Sequence, residues 1–123
     1  MVGGSGVGQT RDMQKIPLDV LVREHLERAA TAASGRSAET LFGGQGHALR
    51  QTLFALTAGT SLSEHASPGD ATLLVLRGRV RLRGGDGPLD GVAGDFLKVP
   101  DDPHSLEALE DAAVLLTVAK IMA

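Results

Sequence analysis

The sequence predicts an all-β barrel with a single helix on its N-terminal side, and three observations point there. Short apolar stretches follow one another from residue 36 onward, each closed by glycine or proline. One earlier stretch repeats its apolar residues at helical spacing. Within the strand region, two segments share a plan. From Gly59 to Gly78 a strand leads to His65, a Ser-Pro-Gly-Asp turn follows, and an apolar run leads away. From Gly94 to Leu109 the order is again glycine, apolar strand, proline and histidine, here His104. Two such halves in one small domain suggest a barrel on which the histidines converge.

Composition sets the outer limits. A chain of 123 residues with 42% apolar residues makes one domain with one core. It has no cysteine, so disulfides and thiolate metal sites are excluded. A net charge of −3, no Trp or Tyr and only three Phe argue against nucleic acid as a partner. No apolar run approaches the length that spans a bilayer, and the N-terminus lacks a basic segment followed by an apolar one. The expectation is therefore a cytoplasmic protein without a membrane partner.

Residues 1–14 read as a disordered tail, because their glycine-rich start has too little apolar surface to offset ordering. Gly3 and Gly8-Gln9-Thr10 mimic a phosphate-binding loop, but Gln9 stands where a lysine must reach the phosphates. No nucleotide is expected. Residues 15–35 form the helical segment. Leu18, Leu21, Val22, Leu26, Ala29, Ala30 and Ala33 lie on one stripe, Pro17 suits the first turn, and Ser34-Gly35 is a stop. His25, between Glu24 and Glu27, is expected at the solvent boundary. The helix is expected to pack across the barrel or onto a partner chain.

Residues 36–123 form the barrel, in about eight strands. Ala38 to Phe42 comes first, and the Gly43-Gly44-Gln45-Gly46 cluster turns the chain into His47 to Leu56. Ala58-Gly59 turns it again into Leu62 to His65, and a tight hairpin there would set Thr52 opposite His65. Ala71 to Leu76 is apolar on both faces, as for a strand covered on both sides. Arg77, Arg79, Arg81 and Arg83 alternate and share one side unless Gly78 breaks the period. They are read as a solvated face, or as guanidinium groups paired with Glu and Asp at a subunit contact, with a site for an anionic substrate or acidic partner as the alternative. Phe96 to Val99, Ser105 to Leu109 and Ala113 to Ala119 complete the set. Arg50 and Gln51 lie on a strand expected to line the barrel, so whichever faces inward is a candidate ligand-binding residue.

These residues resemble the paired motifs of the cupin superfamily, whose fold is a double-stranded β-helix, a small barrel of jelly-roll type. Gly59, His65 and Gly78 fall on the first motif, while Ser67 and Ala71 stand where it has a second histidine and a glutamate. Gly94, Pro100 and His104 fall on the second motif, with one residue fewer between the last two. The resemblance covers about residues 36–120 and implies a small-molecule ligand, a homodimer and a divalent metal (Fe, Mn, Zn or Ni) on barrel histidines. His65 and His104 are the metal candidates that the motifs select. His47, Ser67, Asp70 and Gln51 are candidates to complete the set. The same two histidines also read as hydrogen-bonded barrel residues with no metal. Two functional classes follow: a small-molecule-binding protein with metal-dependent chemistry of unspecified type, or a non-catalytic ligand-sensing or accessory domain.

Overall fold

A computed structural model of the chain describes residues 13–64, 69–85, 87–101 and 104–120. Helix α1 spans Leu18–Thr31. Nine strands follow among the described residues: β1 (Arg36–Gly43), β2 (Leu49–Leu56), β3 (Ser61–Glu64), β4 (Gly69–Arg77), β5 (Arg79–Arg83), β6 (Leu89–Val92), β7 (Phe96–Lys98), β8 (His104–Ala108) and β9 (Ala112–Lys120). Of the tail expected over residues 1–14, the first 12 residues lie outside the described ones.

The helix begins where Pro17, in an extended conformation, presents its carbonyl to the amides of Val20 at 3.1 Å and Leu21 at 3.2 Å. Asp19 in its first turn and Arg28 in its last complement the helix dipole. It buries Val22, His25 and Ala29, whose spacing puts all three on one face. After Ala32 the chain turns through Gly35 at φ +72°. A Cβ there would stand 2.5 Å from Thr60 Oγ1 and 2.7 Å from Thr57 Oγ1, so glycine answers both the backbone angle and the crowding.

Two antiparallel sheets make the barrel wall. One runs β1-β2-β9-β4-β7 and the other β3-β8-β5-β6. Alternation along each strand sorts the side chains. Phe54 and Leu56, Leu73 and Val75, Val114 and Leu116 point inward from the first sheet. Leu62, Val80, Leu82, Leu106 and Ala108 meet them from the second. On the outside of the larger sheet, Val22 packs against Leu53 and Ala113, with Leu21, Leu26, Leu41 and Leu76 around them. The helix therefore lies across the barrel, on β1, β2 and β9. Its cover accounts for Leu76, one of the two outward leucines, with Leu74, of the two-sided run Ala71 to Leu76.

Three expectations need correction, and one open alternative is decided. Ala58-Gly59 does not close a hairpin between β2 and β3. β2 pairs with β1 and β9, and β3 pairs with β8. The turn instead carries the chain between sheets, held by Gly59 N–H to Ala108 O at 2.8 Å. Thr52 thus faces Thr40 and Leu116. Second, Leu89–Val92 is a strand despite its Asp90 and Gly91, because it pairs residue for residue with β5. Third, of the two alternatives for the arginine run, the one broken at Gly78 holds. Arg77 ends β4 in the larger sheet, Gly78 turns at φ +77°, and Arg79, Arg81 and Arg83 lie on β5 in the smaller one. Fourth, His25 is not at the solvent boundary. It is 2% exposed, with Nδ1 2.6 Å from Ser37 Oγ and Nε2 2.8 Å from Glu39 Oε1. Both partners stand on β1, which the helix crosses.

Candidate functional site

The site is built by the strand ends that gather at one end of the barrel. β8 begins at His104, whose backbone partner across the ladder is Glu64, the last residue of β3. His104, Leu106 and Ala108 share the inward parity of β8. His104 is half-buried, at the border of a cavity of about 20 Å³. Phe54, Leu73 and Leu116 close this cavity from the larger sheet, and Leu62, Leu82 and Leu106 from the smaller one. Among the described residues, His104 is the only polar one in that lining. The arrangement offers an imidazole, able to donate, accept or ligate, at the rim of an otherwise apolar interior.

The other candidates are placed as follows. His65 and Ser67 lie outside the described residues. His47 is exposed on the β1–β2 connection, where its ring meets Phe42 edge-on with centroids 5.5 Å apart. Arg50 has the parity of Thr52 and Phe54, pairs with Val118 and is exposed at the end of its strand. Gln51 has the opposite parity, and its Nε2 donates to Thr117 Oγ1 at 3.2 Å on the outside of the sheet. Asp70 is exposed and likewise has the outward parity, one residue before the inward Ala71. Among the described residues, no three His, Cys, Asp or Glu side chains gather closely enough to hold a metal ion. The described donor set at the barrel end is the single imidazole of His104, which is too few for a metal centre by itself.

Charge on the smaller sheet is consumed locally. Arg81 donates from Nε to Asp90 Oδ1 at 2.7 Å and from Nη2 to Oδ2 at 3.0 Å, a two-pronged pair that matches guanidinium to carboxylate. Arg79 reaches the same carboxylate at 3.5 Å, and Arg83 stands 3.5 Å from Glu107. The hydrogen bond to Arg81 holds the Asp90 carboxyl below its ordinary value, and the same bond raises Arg81. Arg79, Arg81 and Arg83 are thus paired with carboxylates of their own chain, where the sequence reading places such pairs at a subunit contact. Glu107 is thereby turned outward, away from His104. These pairings required strand register and had no local signal in the sequence.

Among the described residues, no helix is long and apolar enough to cross a membrane. No protein-family model matches the chain, and no curated protein matches its sequence. Solved structures do match. A conserved protein of unknown function from Streptococcus pyogenes is 30% identical, over 75% of this chain and 80% of that one, with a TM-score of 0.66. An RmlC-like cupin protein from Desulfovibrio desulfuricans is 26% identical over 68% and 81%, with a TM-score of 0.59. A cupin superfamily protein from Desulfitobacterium hafniense is 24% identical over 70% and 78%, with a TM-score of 0.64.

Proposed function

The chain belongs to the cupin superfamily, and from that premise we propose that it binds a small molecule at the His104 end of its barrel. The supporting observation is the placement of His104 as the one polar residue, among those described, on the apolar cavity. Small-molecule sites have this composition, with apolar walls and a few polar groups that fix orientation. The cavity, at about 20 Å³, has room for about one water. A ligand therefore rests at the mouth, with only a small apolar group reaching inward.

A divalent metal at this end would require His104 together with His65, which lies outside the described residues. Such an ion would supply a Lewis acid at the mouth. The chain's own contribution is the imidazole of His104 and a water-excluding wall behind it. Metal content of untagged protein, measured beside His65→Ala and His104→Ala, tests this part. One metal per chain in the parent and none in either variant supports a metal-anchored site. No metal in any sample, with no stabilisation by added iron, manganese, zinc or nickel, overturns it and leaves metal-free binding.

A second reading is favoured by the small cavity: a non-catalytic accessory domain whose barrel is filled by its own Leu, Val and Phe side chains. It predicts that no small molecule protects the protein at the His104 end. A homodimer is also proposed, and light scattering at twice the chain mass is the expected result.

A further inference from the structure

A larger space lies outside the barrel interior. A cleft of about 260 Å³ is lined by Leu82, Pro88, Leu89, Lys98 and Pro100, and by Gly84 and Gly87. Leu82 is the wall it shares with the interior cavity. Leu82 and Leu89 are partners across the β5–β6 ladder, the first 4% exposed and the second 51%. Gly84 and Gly87 border the cleft between β5 and β6. Gly87 has a φ of +115°, and a Cβ there would meet nothing within 4 Å. The described walls thus combine the apolar side chains of Leu82, Pro88, Leu89 and Pro100 with polar surface.

Lys98 is the only charged residue in this lining among the described residues. Unlike those of Arg79, Arg81 and Arg83, its side chain makes no ion pair among them, although its backbone pairs with Thr72 in the ladder. The volume exceeds the roughly 150 Å³ that admits a benzene ring in an apolar protein cavity. One ammonium group suits one carboxylate, whereas a phosphate is usually gripped by several donors. We infer that this cleft binds a small organic acid, with its apolar body on Leu82, Leu89 and Pro100 and its carboxylate on Lys98 Nζ. The site is distinct from the His104 mouth and does not require that the mouth bind anything.

The test is a titration of the 15N-labelled full chain with benzoate, followed through backbone amide shifts. Benzylammonium, of similar size and opposite charge, is the control. Saturable shifts centred on Gly84, Gly87, Leu89 and Lys98 are expected, with benzylammonium at least about tenfold weaker. Lys98→Ala should weaken benzoate about fivefold, the range of a solvent-accessible ion pair. Leu89→Glu should remove binding by placing a carboxylate in the cleft. Both side chains are exposed, so the variants keep the fold. Shifts centred on Leu106 and Leu116 instead would place the acid at the barrel mouth. That result would overturn this inference while supporting the preceding one. Equal binding of benzylammonium, an unchanged affinity in Lys98→Ala, or no saturable shift at all would also overturn it.

Discussion

His25 Nε2 lies 2.8 Å from Glu39 Oε1, joining the helix to the edge strand of the larger sheet. The other ring nitrogen, Nδ1, is 2.6 Å from Ser37 Oγ. A buried imidazole thus has both polar atoms satisfied by one strand, two residues apart, because side chains at that spacing share a face. The neighbouring contacts of Val22 with Leu53 and Ala113 are apolar and tolerate sliding. The histidine contacts do not, so they fix where the helix sits. His25→Ala should cost about 2–4 kcal/mol in urea unfolding, combining a cavity with lost hydrogen bonds. Glu39→Gln, at a side chain 47% exposed, should cost about 1 kcal/mol or less. Equal losses for the two variants would contradict this division.

The apolar half of the same interface depends on Leu53, which is fully buried. Leu53→Ala should lower stability by about 2–4 kcal/mol, measured by the same unfolding curve. Leu21→Ala and Leu26→Ala should cost less, because both are only partly buried. An unchanged melting temperature in all three variants would show that the helix does not pack where described.

Gly78 separates the two sheets at φ +77°, and a Cβ there would run into the Asp111 carbonyl and Ala112. Gly78→Ala should therefore cost at least about 2 kcal/mol, from left-handed strain plus the clash. Gly59→Ala, where the φ is also positive but a Cβ meets nothing within 4 Å, should cost only the strain. The gap between the two variants in thermal unfolding measures the crowding alone.

Asp90 gives the pH dependence a sign. Its carboxyl is held below its ordinary value by the hydrogen bond from Arg81. The stabilisation is therefore fully present above the unfolded value of 3.8 and is lost as pH falls through the lower folded value. Asp90→Asn should remove that acid-side decline and leave the remaining curve parallel to the parent. The effect should shrink with added salt, since the pair is exposed to solvent. An acid limb identical in parent and variant would contradict the assignment.

Much of this architecture is local and was therefore readable from the chain. Glycines at Gly35, Gly59, Gly78 and Gly94 punctuate it because each takes a positive φ, and the inward residues of β4 alternate strictly. Which strands pair is not local. The turn at Gly59 reads as a hairpin because nothing near it reveals that β9, more than fifty residues later, takes the place beside β2. The same dependence on register hid the strand Leu89–Val92 and the Arg81–Asp90 pair. His25 was masked by its charged neighbours Glu24 and Glu27, although its spacing from Val22 and Ala29 placed it on the buried face. At the site, alternation left open which of Arg50 and Gln51 faces inward, and pairing settles it in favour of Arg50.

The His104 end of the barrel is proposed to receive a small molecule. A fragment screen observed through the ring signals of His104 and the amides of Leu106 and Leu116 tests it most directly. At least one fragment, or one metal ion, should shift these signals saturably and lose its effect in His104→Ala. Fragments that bind only elsewhere, with the His104 signals unmoved throughout, would contradict the claim and identify the barrel as a filled accessory domain.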